Sequence, residues 1–317
     1  MLDNGPAIVF DRPADLRWSV VVPVHRKRPG LKRAIESVLP QLREGMECVV
    51  VCQKGSGMEN ARDLYADLRD EKELIFEADV PDTGSMAGNW NKAVSLVRGE
   101  WIHLLHDDDF VCDRFYESLD WHRPADAGIA ATWFRNIGPD GRETFRQCNF
   151  PVPLWPALAV SNPFQPVSFA VKRDVYEQLG GYSDDPQLRH CPDWEFLARC
   201  FSRGVVAHVH KEILAVHTEG GKECESAAPF AEQIQSYRCL MERLYVGGVQ
   251  RDALIAGLNQ MQSVVVRKAV EAAADIAEGD SFWSEVDSIG KSAWCDLWEL
   301  GVDIQRQKRR YEPKGEK

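Results

Sequence analysis

No two of the nine cysteines in this 317-residue chain are spaced Cys-x-x-Cys, and their number is odd. That gives no zinc signature and no disulfide framework, and it leads to an expectation of reduced thiols in a cytoplasmic compartment. The opening MLDNGPAIVFDRPADLR lacks the basic-then-apolar order of a secretory leader. No apolar run approaches the roughly 20 residues needed to cross a bilayer. The expectation is therefore a soluble cytoplasmic protein, with at most peripheral contact at the cytoplasmic membrane face. Positive charge is also short, with 38 Lys and Arg against 49 Asp and Glu for a net charge of −11. No long basic stripe precedes the final residues, so no nucleic acid partner is expected, because affinity for a polyanion rests on neutralising phosphates. Gly-x-Gly-x-x-Gly and Gly-x-x-x-x-Gly-Lys-[Ser/Thr] are both missing, which removes the dinucleotide fingerprint and the P-loop.

What remains is an ordinary globular composition, 44% hydrophobic and 27% charged, in a chain long enough for one large domain or two. Trp18 to Val24 (WSVVVPV) and Cys48 to Cys52 (CVVVC) are near-continuous apolar runs, predicted as strands buried on both faces of a sheet. Between them Leu31, Ile35, Val38 and Leu42 recur at helical spacing up to Gly45, with Pro40 able to kink the last turn. A second helical pattern spans Met58 to Asp70, and Glu73 to Val80 is a third predicted strand. The β-α-β-α-β order predicts a doubly wound parallel sheet whose loops converge on one edge, where such sheets bind nucleotides.

The next predicted strand, carrying Trp101, Ile102, Leu104 and Leu105, stops at Asp107, Asp108 and Asp109. Three adjacent carboxylates repel one another unless a cation or strong donors sit among them, and a hard divalent metal suits oxygen ligands of this kind. Acidic triplets are also common as solvated turns. Before the strand, Gly84, Ser85 and Gly88 form a flexible loop, and Asn89 is read as the cap of the helix carrying Ala93, Val94 and Val97. After it come a short helix from Phe115 to Trp121, a strand from Ile129 to Ile137, and a hairpin returning through Arg142 to Gln147. Asn149 to Pro166 is proline-rich and expected to be irregular; Val167 to Val171 is a short predicted strand. A helix then ends at Gly180-Gly181, and another begins at Pro192, with Asp193 and Glu195 in its first turn and Trp194, Leu197 and Phe201 on its buried face. Two residues apart on a helix, Asp193 and Glu195 point in different directions, so only one of them faces a site. Strands are predicted at Val205 to Val209 and Ile213 to His217, and the chain turns helical from Pro229 onward.

Taken together, SVVVPV, LKRAIESVLPQ and GNWNKAVSLVRGEWIHLLHDDDF resemble the nucleotide-binding half of the family 2 glycosyltransferases of GT-A fold, which are inverting enzymes using nucleoside diphosphate sugars. The resemblance implies an α/β fold with a mostly parallel, Rossmann-like sheet. Residues 1–228 form the GT-A domain, with a nucleotide half over about 17–110 and an acceptor half over about 111–228, and residues 229–317 form an α-helical extension. It implies Mn²⁺ or Mg²⁺ as cofactor, a nucleoside diphosphate sugar as donor, and a saccharide or other hydroxyl as acceptor. Asp109 is the first choice for the direct metal ligand, with Asp107 and His217 as further metal contacts; Asp107 or Asp108 meets the donor ribose or metal-bound water. Pro23, Val24, His25, Cys52, Asn89 and Lys92 complete the nucleotide site, and Asp193 is the general base that accepts the acceptor's proton.

The chain departs from the family pattern at three places. His106 stands where aspartate is commoner, Pro192 replaces a glutamate, and Cys52 to Ser56 replaces Asp-Asp-Gly-Ser, whose first aspartate reads uracil. A thiol cannot accept an imide hydrogen bond as a carboxylate does, which leaves guanosine- and thymidine-type donors open. The departures also keep open a catalytically inactive scaffold that binds carbohydrate or a protein partner. A sugar nucleotidyltransferase is a further alternative, although its Gly-x-Gly-[Thr/Ser]-Arg loop is missing. The last helices, ending in Arg306, Lys308, Arg309 and Arg310 beside Trp294 and Trp298, suit a peripheral membrane contact or a homo-oligomer.

Overall fold

Alternation within the apolar runs sets the architecture. In β1 (Trp18–Val24) and β2 (Met46–Gln53) of the computed structural model, Val21, Val49 and Val51 enter one core, while Val20, Val22, Val24, Cys48, Val50 and Cys52 enter another on the opposite face. Both faces are covered, so strands with no polar alternation are the stable solution. The structure describes residues 16–58, 60, 65–68, 74–138, 140–146, 158 and 162–218, together with the helical positions 236, 239, 240, 243 and 244.

Helix α1 (Leu31–Val38) lays Leu31, Ala34, Ile35 and Val38 into the second core. It stops earlier than the apolar spacing predicts. Pro40 lacks an amide proton and its ring crowds the preceding turn, so Leu39–Gln41 tightens into a 3₁₀ turn. Of the predicted helix over Met58 to Asp70, only the 3₁₀ turn Ala66–Leu68 falls in the described part of its centre; most of the segment lies outside the described residues. β3 (Leu74–Val80) follows, then α2 (Met86–Val94), which packs Ala87, Trp90, Ala93 and Val94 into the first core. β4 (Trp101–Leu104) splits the same way, with Ile102 and Leu104 towards α2 and Trp101 towards α1.

The later elements are β5 (Phe110–Val111), α3 (Phe115–Asp120), β6 (Ala127–Ile137), β7 (Glu143–Arg146), β8 (Phe169–Lys172), α4 (Arg173–Gln178), α5 (Pro192–Ser202) and β9 (Val206–Thr218). One sheet runs in the order β3-β2-β1-β4-β8-β6-β9-β5, with β7 paired to β6. β3, β2, β1 and β4 are parallel neighbours, as are β6 and β9; β8 is antiparallel to both β4 and β6. The two strands predicted between Val205 and His217 are one strand of 13 residues whose register with β6 shifts near its middle. Most of the proline-rich stretch before Asn162, and the helices read from Pro229 onward, lie outside the described residues, the helical positions named above excepted.

Polar side chains are built into this core as well, and one of them is an imidazole. His103 is fully buried in β4, with Nδ1 2.9 Å from the Tyr116 hydroxyl and Nε2 3.1 Å from the Val167 carbonyl oxygen. Burial pushes its pKa down to about 4, because no water is left to solvate an imidazolium there. In an unfolded chain the imidazole takes up a proton near pH 6.5, well before the folded one does. Stability is therefore intact above that pH and falls as the pH drops towards about 4, by up to about 1.4 kcal/mol per pH unit. Urea unfolding of wild type and His103→Asn between pH 7.5 and 4.5 should show that part of the acid sensitivity in the wild type alone.

Candidate functional site

The site lies where β1, β2 and β4 end together. β4 is pinned beside β1 as far as the Leu105 amide, which donates to the Val21 carbonyl oxygen at 2.9 Å, and the acidic triplet follows at once. The loop after β1 folds over it. A Cβ at Gly30 would lie 2.9 Å from both the Asp107 carbonyl oxygen and the Asp108 Cα, so only glycine lets the start of α1 rest on the triplet. The same loop is tied to the one after β2, where the Lys27 amide donates to the Ser56 carbonyl oxygen at 2.9 Å. His25 Nδ1 lies 2.6 Å from Gln53 Oε1.

The three carboxylates are treated differently. Asp107 is buried and reaches to 3.8 Å from the Arg28 guanidinium; burial pushes its carboxyl up to about 7, Arg28 opposes the rise, and Asp108 adds to it. Asp108 is half-buried and takes the stronger pair, with Arg28 Nη1 at 2.6 Å. Its backbone carbonyl accepts from Arg33, which also donates to Thr218 Oγ1. Asp109 is fully buried: the Thr218 amide donates to its Oδ1 at 2.8 Å, and His217 Nδ1 lies 3.1 Å from the same oxygen. The pairing of Phe110 with Val216 across β5 and β9 brings that end of β9 to the triplet.

His106, Asp108 and Asp109 offer donor atoms that all lie within 4.8 Å of one another. The His106 ring stacks on Trp90 at 4.8 Å between centroids, and its Nε2 is buried without a hydrogen-bond partner. An orphaned imidazole nitrogen beside two carboxylates is a fitting donor set for a divalent cation. Residue type alone read His106 only as a departure from a pattern; its unpartnered nitrogen is the signal, and that needs coordinates. Asp107 stands outside this trio, on the Arg28 side, and His217 borders it through Asp109.

The other candidate residues fall as follows. Pro23 is half-buried and His25 exposed, whereas Val24 and Cys52 point into the core under α1. Cys52 is therefore placed as a core thiol. Gln53, one residue on, is the group that presents a polar atom to the His25 loop. Asn89 is not the helix cap. Ser85 fills that place, accepting from the Gly88 amide, because the loop enters one turn earlier than the glycines suggest. Asn89 instead staples the loop, its Oδ1 accepting from the Thr83 amide and hydroxyl and its Nδ2 donating to Asp82. Lys92 is exposed in the last turn of α2.

On the acceptor side, Pro192 opens α5 and Asp193 follows in its first turn. Asn162 Nδ2 donates to Asp193 Oδ2 at 2.7 Å, and the Trp194 indole donates to the Leu158 carbonyl oxygen at 2.8 Å. Enclosure by protein raises the Asp193 carboxyl above the usual range, while the Trp194 amide, His106 and His217 each pull it back. Those two imidazoles, both beside the triplet, are near enough to Asp193 for their charge to act on its carboxyl. Glu195 turns away into the core, paired with Arg199 at 2.7 Å. The described buried face of α5 also includes Phe196, Ala198 and Cys200, a wider stripe than the spacing of Leu197 and Phe201 implies, while Trp194 is only half-buried.

The family model "Glycosyl transferase family 2" matches residues 19–189. No curated protein matches the chain at the level of sequence. Among solved structures, it is similar to S. aureus TarS 1-349, described also in complex with UDP-GlcNAc, at 13% identity and a TM-score of 0.59 over 94% of this chain and 93% of that one. It is similar to the mannosyltransferase PcManGT from Pyrobaculum calidifontis in complex with GDP-Man and Mn²⁺, at 15% identity and a TM-score of 0.55 over 90% and 87% of the two chains. GalNAc-T7 with UDP, GalNAc and Mn²⁺ gives 14% identity and a TM-score of 0.53 over 95% of this chain and 59% of that one.

Gly30→Ala tests the packing of the first loop on the triplet. With Asp107 and Asp108 backbone atoms in the way, the added methyl should cost about 1–3 kcal/mol in urea unfolding, as overpacking does. An unchanged midpoint would show that the loop yields freely.

Proposed function

The chain belongs to glycosyl transferase family 2 and is a glycosyltransferase, and from that premise we propose a divalent-cation-dependent, inverting transfer from a nucleoside diphosphate sugar to an acceptor hydroxyl. What carries the reading is that His106, Asp108 and Asp109 bring donor atoms within 4.8 Å of one another, with Asp193 near enough to feel the charge of His106 and His217. His106, Asp108 and Asp109 would hold Mn²⁺ or Mg²⁺, with His217 beside them. A cation there supplies positive charge against the diphosphate that departs.

The remaining chemistry belongs to the protein's own groups. Asp193 works ionised: it accepts the proton of the acceptor hydroxyl as that oxygen attacks the anomeric carbon, on the face opposite the leaving phosphate. Its raised pKa makes it a stronger base than a solvent-exposed aspartate, and the first-turn amide and the two imidazoles favour its ionised form. Asn162 fixes the direction of the carboxylate by holding one oxygen and leaving the other for the hydroxyl. The donor nucleotide is proposed to lie along the ends of β1 and β2, by Pro23, the Val24 backbone, His25 and Gln53, with Asn89 and Lys92 on the α2 side and Asp107 or Asp108 at the ribose. Gln53 offers both a carbonyl and an amide to a base, so it does not select uracil as an aspartate would.

Asp193→Asn should retain Mn²⁺-dependent binding of nucleoside diphosphate, measured as a rise in melting temperature, while transfer falls by about two orders of magnitude or more. The wild-type kcat/KM should fall on the acid side as Asp193 takes up its proton, at a pH above the ordinary carboxylate range. Undiminished turnover in the variant would remove Asp193 as the base. A search of UDP, GDP and dTDP with and without Mn²⁺ should give a shift only in the presence of the metal.

A further inference from the structure

The triplet already carries a cation of the protein's own. Arg28 places Nη1 2.6 Å from Asp108 Oδ2 and 3.8 Å from Asp107 Oδ1, at the mouth of the trio formed by His106, Asp108 and Asp109. Asp108 belongs to both arrangements. The guanidinium sets a positive charge on the carboxylate that a divalent ion would use, so the two cations repel and compete for Asp108.

Arg28 meets the triplet from a loop that is itself tied down on both sides. Lys27 is tied to Ser56, Gly30 is wedged on the triplet backbone, and Arg33 holds the Asp108 carbonyl oxygen, yet the Arg28 side chain remains 25% exposed. Its head is thus partly open to solvent beside the triplet, within reach of a ligand that enters there. A guanidinium released there is a planar fork of donors suited to two phosphate oxygens at once.

We propose that Arg28 is a tethered counter-ion that holds Asp108 until donor and divalent cation arrive together, and then moves to the donor's diphosphate. This rests on the glycosyltransferase reading of the same site and adds a residue to it. Binding of cation and donor is then coupled: each is weak alone, because Arg28 blocks the one and is withheld from the other, and by linkage each strengthens the other equally.

The test is Mn²⁺ binding to the full-length protein, read as the loss of the free-ion electron paramagnetic resonance signal, with and without UDP or GDP. Arg28→Met should bind Mn²⁺ alone about tenfold tighter than wild type, the equivalent of about 1.4 kcal/mol. At saturating Mn²⁺ it should bind the diphosphate about tenfold more weakly, so the coupling shrinks from both sides. Arg28→Lys, which keeps the charge and loses the fork, should retain the block on Mn²⁺ and still lose diphosphate affinity. An Mn²⁺ affinity within twofold of wild type in Arg28→Met, or undiminished diphosphate binding, overturns the proposal and leaves the metal site standing. If neither wild type nor Arg28→Met binds Mn²⁺ even with UDP or GDP, the metal reading fails and takes the proposal with it. Equal urea midpoints for the three proteins exclude a folding defect as the cause.

Discussion

Three carboxylates in a row at the end of a buried strand have to be neutralised where there is too little water to do it. Asp107 and Asp109 are buried and Asp108 half-buried, so solvent cannot screen their repulsion. The protein divides the work among groups from distant parts of the chain. Arg28 arrives from the loop after β1, Arg33 from α1, and His217 with the Thr218 amide from the end of β9. The closure of the sheet and the wedge at Gly30 serve to hold these donors against one short peptide segment.

This explains why the segment after β4 meets the end of β9. β5 is only two residues long, yet it pairs antiparallel with β9, and the register of Phe110 with Val216 sets His217 and Thr218 beside Asp109. β9 in turn runs parallel to β6 almost throughout, which is what carries the strand across to the triplet. A strand of this length costs much order to place, and it is returned by the apolar burial of Leu214, Ala215 and Val216 in its second half.

How legible all this is from residues alone follows from the range of each signal. β1, β2 and β4 are readable because a run buried on both faces needs nothing but apolar side chains, and the end of α4 is readable because Gly180 and Gly181 adopt positive φ. The parallel order of the first half follows from short β-α-β loops, whereas the antiparallel insertion of β8 between β4 and β6 is a long-range pairing with no local mark. Asn89 misleads because Asn is both a good cap and a good loop staple, and only the chain direction at Thr83 decides which. Cys52 misleads by one residue: strand alternation puts it into the core and hands the loop to Gln53, and a slip of one reverses every side chain. His103 hides inside an apolar strand because its partners, Tyr116 and Val167, are far off in sequence.

The two acids of α5 show the same logic at the opposite wall. Both stand in the first turn, where the helix dipole favours negative charge, so residue type does not separate them. Burial does. Glu195 is sunk among apolar groups and is held by Arg199, with Arg243 from the C-terminal region at 3.6 Å, so its charge is spent inside the fold. Arg243 also pairs with Asp185, and Cys191, next to Pro192, donates weakly to the Ser236 carbonyl oxygen at 3.6 Å. Ser236 and Arg243 therefore brace the start of α5. Asp193, two residues from both Cys191 and Glu195, keeps one oxygen on Asn162 and feels the imidazoles of His106 and His217. The proposed role as base asks for this balance: enough enclosure to raise its proton affinity, and enough hydrogen-bond donors and imidazole nearby to favour its ionised form.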